Sequence, residues 1–164
     1  MPLRAALIAL SLCLALPLAA AAQTGPAAPP DQPTPVAYVP AADPGPALVV
    51  TVSKERQEMT VTLEGEVLSV WPVSTARAGK VTPKGEWTPQ YLVKFHRSRL
   101  YNNAPMPWSI FYDGHYAIHG TDQTDRLGSP ASAGCIRLHP DNARVLWEMV
   151  RERGRDQTRV VVVD

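Results

Sequence analysis

Cysteine is nearly missing from this chain, and its scarcity excludes a good deal. The 164 residues contain two, and Cys13 lies inside an N-terminal apolar run, so Cys135 has no obvious partner. A chain exported with a single thiol cannot be held by an internal disulfide framework. An excess of charge is missing too. With 16 Lys+Arg against 15 Asp+Glu the net charge is +1, and no polybasic run marks a nucleic-acid or anionic-partner surface. There is no internal repeat, and only one stretch has a helical period. Cys135 is therefore an inert buried side chain, a metal ligand or a nucleophile.

The ends of the chain differ from its middle. Met1-Pro2-Leu3-Arg4 precedes the run AALIALSLCLALPLAAAA, and Ala20-Ala21-Ala22 before Gln23 fits small-x-small cleavage. Residues 1–22 therefore read as a secretory signal peptide. The run approaches the roughly 20 apolar residues that span a bilayer, so a retained membrane anchor is the alternative. Leu12 before Cys13 is not the small residue that lipidation requires. Residues 23–46, QTGPAAPPDQPTPVAYVPAADPGP, are proline-rich and small. They read as an extended tether, or as a tail without consequence.

From residue 47 to 164 the composition is that of one folded domain. LVVTVS (Leu48 to Ser53), EMTVTLEG (Glu58 to Gly65) and EVLSVWPVS (Glu66 to Ser74) are rich in β-branched residues and largely alternate apolar with polar, with a turn at Glu64-Gly65. Glu86 to Phe95 and Ser109 to Gly120 read as further strands, interrupted by Pro89 and Gly114. Ala143, Leu146, Trp147 and Val150 recur at helical spacing, with Asp141 as N-cap and Gly154 as stop. RVVVVD closes the chain as a strand. The expected fold is mainly β, a curled mixed sheet or small β-sandwich with one late α-helix. Tyr101, Trp108, Phe111, Tyr112 and Tyr116, like Trp87 and Trp147, read as core or sheet surface rather than as a substrate groove.

A thiol attacks only as thiolate, and at its ordinary pKa it is only a few per cent ionised near neutrality, so it needs a base. Of His96, His115, His119 and His139, His119 stands at the end of the apolar strand YAIHG, where Gly120 permits a change of direction. Gly134-Cys135 sits in a run of small residues, where backbone N–H groups can converge on one oxygen.

Three strings, VSTARAGKVTPKGEW, MPWSIFYDGHYAIHGT and SAGCIRL, resemble the catalytic domain of the L,D-transpeptidases of the YkuD type, over essentially the whole region from Leu48 to Val163. The resemblance implies that Cys135 is the nucleophile and His119 the general base. It implies that the Gly120 carbonyl orients His119 through Nδ1, and that Gly134 and Cys135 supply N–H groups to an oxyanion. Arg137 and Ser132 fall at substrate-side positions, Arg137 either orienting a peptide carboxylate or bracing the loop. The family acts on peptidoglycan stem peptides without metal or cofactor, through a thioester resolved by an amine or by water. A lipoprotein is one such amine acceptor. The resemblance further implies a periplasmic protein, and a monomer is expected.

The family's commoner form is Ser-His-Gly-Cys, whereas this chain has Ser132-Ala133-Gly134-Cys135. The missing histidine leaves the choice of acceptor, and transfer against hydrolysis, open. His115 and His139 are the candidates to replace it. Two other readings stand beside the transpeptidase. One makes His115, His119, Cys135 and His139 zinc ligands, although no HExxH helix is present. The other is a peptidoglycan-binding module without chemistry.

Overall fold

The computed structural model describes residues 45–164. The expected signal segment and all but the last two residues of the 23–46 stretch lie outside the described residues. In chain order the elements are β1 (Leu48–Ser53), β2 (Glu58–Leu63), β3 (Glu66–Pro72), β4 (Gly85–Trp87), β5 (Tyr91–Arg97), β6 (Pro105–Asp113), β7 (Tyr116–Gly120) and a 3-10 turn at Thr124–Arg126. Then come β8 (Ile136–Leu138), α1 (Pro140–Arg153) and β9 (Thr158–Val163).

They build two sheets, ordered β3-β2-β1-β9-β4 and β5-β6-β7-β8. Alternation sets the first. In β1, Leu48, Val50 and Val52 are fully buried while Val49 and Thr51 are only partly so, the period-2 pattern of a strand with one face inward. Glu64 and Gly65 both have positive φ, 50° and 88°, which closes the two-residue β2–β3 hairpin as a type I′ turn and places the turn where the sequence put it. The last strand, β9, lies between β1 and β4, parallel to β1, with Leu48 opposite Thr158 and Ser53 opposite Val163, and antiparallel to β4. Both sheets contribute to one core. Val50, Val61, Val160 and Val162 meet Ile110, Ile118, Ile136 and Leu138, and α1 adds Ala143, Leu146 and Val150. Each of the valine, leucine and isoleucine side chains contributes about 1.5–3 kcal/mol on burial.

Four details differ from the sequence reading. The Glu86–Phe95 stretch divides between the sheets as β4 and β5, because Thr88-Pro89-Gln90 carries the chain across and proline cannot donate to a ladder. Ser109–Gly120 is a hairpin, turning at Gly114 with φ 54°. The helix is capped by His139, whose Nδ1 accepts the Asp141 N–H at 3.3 Å, with Pro140 at the first helical position. That position tolerates proline because its missing N–H would be unpaired in any case. β8, three residues long, is too short to announce itself. Gly154 does end the helix, its N–H donating to the Val150 carbonyl.

Candidate active site

β7 and β8 run parallel and adjacent, with Ile118 opposite Ile136, His119 opposite Arg137 and Gly120 opposite Leu138. Paired residues share a face and successive residues alternate. Ile118, Ile136 and Leu138 fill the core, so His119 and Arg137, with Ala117 and the residue before Ile136, lie on the other face. The ladder thereby puts Cys135, in line with Ala117, on the same face as His119, while the thiol lies 3.8 Å from the His115 carbonyl oxygen. Cys135 and His119 both line a cavity of about 530 Å³. Its wall near the sulfur is apolar, since Cys135 packs against the cluster of Met106, Phe111 and Ala117. Gly120 is glycine for space, because a Cβ there would come within 3.1 Å of the Pro140 Cα and 3.2 Å of the Pro107 ring.

His119 is 6% exposed, and its Nδ1 lies 2.8 Å from the Gly120 carbonyl oxygen. A carbonyl only accepts, so Nδ1 carries the proton and Nε2 is the basic nitrogen of the neutral ring. Burial pushes the imidazole down to about 4, against the Gly120 hydrogen bond, with Arg137 and then His96 adding to the depression. Burial also pushes the Cys135 thiol up, opposed by its backbone contact at Ala117 and by the Arg137 charge. Both shifts favour neutral forms. The resting pair near neutrality is thiol and imidazole rather than thiolate and imidazolium.

The loop before Cys135 is tightly held. Gly134 has φ 140°, and a Cβ on it would stand 2.8 Å from the Tyr116 ring and 2.9 Å from the Val81 carbonyl oxygen, so only glycine fits. Its N–H donates to Ser132 Oγ at 3.0 Å, and its carbonyl accepts from Thr82 Oγ1 at 2.7 Å. The Gly134 N–H that the sequence reading gave to an oxyanion is thus committed within the loop. The Cys135 N–H makes no hydrogen bond with any described residue. Ser132, expected on the substrate side, lines the cavity with only 1% of its surface exposed, and its backbone is bonded to Thr75 and Arg77. Its Oγ braces the loop by accepting the Gly134 N–H, as a buried hydroxyl needs a partner inside the fold.

Arg137 is half-buried. Its Nη1 donates to Gln123 Oε1 at 3.0 Å, and it has no carboxylate partner among the described residues. Burial lowers its pKa, and the charges of Arg77 and Arg126 lower it further. Arg77 and Arg99 also line the cavity, against the single carboxylate of Asp122. The zinc ligand set does not assemble. His139 is at the helix cap, and no three His, Cys, Asp or Glu side chains among the described residues come together as a metal site.

His96, Arg77, Met106 and Phe111 line the cavity, and sequence reasoning assigned none of them to it. The β5–β6 ladder brings His96 opposite Met106, and a pairing between strands leaves no local signal. Phe111 and Tyr116, read as core or sheet surface, face the cavity as well, while Trp87 and Trp147 pack against the core as expected.

Comparison with known proteins agrees with this geometry. Residues 47–162 match the family model described as the YkuD L,D-transpeptidase catalytic domain. YqjB of Bacillus subtilis, provisionally named an L,D-transpeptidase, is 29% identical over 128 residues, 70% of each chain. YkuD of the same organism, named in the same provisional way, is 29% identical over 92 residues, 55% of this chain and 52% of its own length. Among solved structures, an L,D-transpeptidase from Mycobacterium tuberculosis aligns with a TM-score of 0.66 at 20% identity, over 73% of this chain and 59% of its own. At that identity the likeness is one of fold.

Proposed function

Because this chain belongs to the YkuD family of L,D-transpeptidase catalytic domains, we propose that it is an exported cysteine transpeptidase of peptidoglycan stem peptides, working in the periplasm. One observation carries the reading: the free Cys135 thiol and a buried, Gly120-oriented His119 share one sheet face in one cavity.

The chemistry follows from the neutral pair. As Cys135 Sγ bonds to the carbonyl carbon of the stem's third residue, the thiol proton passes to His119 Nε2. The oxyanion so formed meets the Cys135 N–H, the donor without a partner among the described residues. Collapse breaks the amide bond, and His119 returns the proton to the departing D-alanine amine. An acceptor amine then attacks the thioester, losing its proton to His119, and the thiol is restored as the new amide forms. A stem side-chain amine gives a 3-3 cross-link, and a lipoprotein lysine gives an anchored lipoprotein. The guanidinium of Arg137, free of any carboxylate among the described residues, suits a stem carboxylate.

Water competing at the same thioester would make the protein a hydrolase. The small Ala133 on the cavity wall, in place of the family's commoner histidine, is the feature that favours that outcome. Incubating the protein with tetrapeptide muropeptides and identifying the products by mass spectrometry separates transfer from trimming. Cys135→Ala should abolish both. Full activity in that variant would overturn the proposal, and an inert wild type would favour a binding module.

A further inference from the structure

In the loop that precedes Cys135, the Gly134 carbonyl is tied to the rest of the fold through one hydroxyl. Thr82 is 2% exposed. Its Oγ1 accepts the Ala76 N–H at 3.0 Å and lies 2.7 Å from the Gly134 carbonyl oxygen. Because a backbone donor already points at the oxygen and a carbonyl only accepts, the hydroxyl proton must go to Gly134. That carbonyl belongs to the peptide unit whose other end is the Cys135 N–H. In a trans peptide the C=O and N–H point in opposite directions across a rigid plane. Fixing the oxygen in the interior therefore fixes the N–H outward, away from Thr82. It is the N–H with no partner among the described residues, next to the sulfur at the cavity wall.

The need for such a hold is visible at Gly134. With φ 140° and no Cβ, the residue has few intrinsic restraints on the orientation of the peptide that follows it. Ser132 Oγ holds its N–H side. Among the described residues only Thr82 holds its carbonyl side.

We propose that Thr82 is a positioning residue that keeps the Cys135 N–H aimed at the oxyanion of the acylation step. The proposal rests on Cys135 being the acylated nucleophile, so its test must distinguish failure of the clamp from failure of that premise. Two reactions of the same sulfur do so. In acylation by imipenem the Sγ–C bond forms, the β-lactam C–N bond breaks, and the thiol proton ends on the ring nitrogen. A tetrahedral oxyanion lies between. In alkylation by iodoacetamide the Sγ–C bond forms and iodide leaves with no oxyanion, so a donor aimed at one is worth nothing.

Both rates are measured on the full chain, following the peptide that contains Cys135 by mass spectrometry so that Cys13 does not interfere. Thr82→Val should lower the ratio of acylation to alkylation at least about tenfold, while Thr82→Ser, which keeps the hydroxyl, holds it within about twofold. Thr82→Ala gives the same reading should the valine variant fail to fold. Equal losses in both rates, or an unchanged ratio, overturn the clamp and leave the nucleophile standing. A wild-type Cys135 that is alkylated but never acylated overturns the premise, and the clamp with it.

Discussion

His119 carries the sharpest consequences at the scale of single residues. Its buried ring takes a proton only near pH 4, against about 6.5 when exposed. Catalysis that needs a neutral base should therefore persist down to about pH 5 and fall about tenfold per unit below pH 4. The pH profile of Cys135 acylation checks this, and an acid limb near 6.5 would contradict it. The same shift bears on stability. Between about 4 and 6.5 the unfolded chain holds a proton that the folded chain lacks, so unfolding becomes easier as pH falls through that window. Up to about 3 kcal/mol should be lost between pH 7 and pH 4 by denaturant titration, and His119→Phe should flatten that part of the slope. The thiol, pushed up by burial, should alkylate more slowly at pH 7 than a free cysteine and keep accelerating beyond the ordinary thiol range. At Gly134 a methyl group has no room. Gly134→Ala should cost the loop its geometry, seen as loss of Cys135 acylation with the far-UV circular dichroism retained.

At the scale of elements, the loop before Cys135 is positioned by hydrogen bonds that begin far away in sequence. The Gln57 side chain, in the β1–β2 turn, donates to Thr75 Oγ1 at 2.6 Å and accepts the Thr75 N–H at 2.9 Å. The Thr75 carbonyl in turn accepts the N–H groups of Ala131 and Ser132. Ser74 and Arg137 exchange two backbone bonds, which attach the segment after β3 to β8. Gln57→Leu leaves two buried polar groups of Thr75 unpaired, at a cost of about 1–3 kcal/mol. Urea unfolding should register that loss, and acylation of Cys135 should slow because the loop loses its anchor. The strand division at Thr88-Pro89-Gln90 belongs to this scale too. Its crossing between sheets makes β5 available to carry His96 to the cavity, an outcome set by how the two sheets face each other.

For the folded domain as a whole, the chain's last strand is structurally among its most central. β9 lies between β1 and β4, and Val160 and Val162 are each 1% exposed in the shared core. Deleting residues 158–164 would strip β1 of its parallel partner and orphan β4, so the truncated chain should fail to give a cooperative unfolding transition by circular dichroism. Trimming an exposed end normally costs little. The parallel β1–β9 pairing also closes a loop containing nearly every other element, and such non-local pairs form late and slowly.

The family was legible in the sequence because its motifs depend on residue types that cannot be exchanged: a lone thiol, a histidine ending an apolar strand, and a glycine before the cysteine. The strands β1, β2 and β3, the Glu64-Gly65 turn and the stop of α1 at Gly154 were legible for a related reason, since period-2 burial and positive φ are local properties. Local pattern could not say which strands pair. Only the tertiary structure placed Cys135 and His119 on one face, through a parallel ladder that includes the three-residue β8. It turned Ser132 and the Gly134 N–H inward and brought Thr82 and Gln57 to the loop. Those contacts connect residues 50 or more positions apart in several cases, where loop closure and packing decide what the sequence alone leaves free.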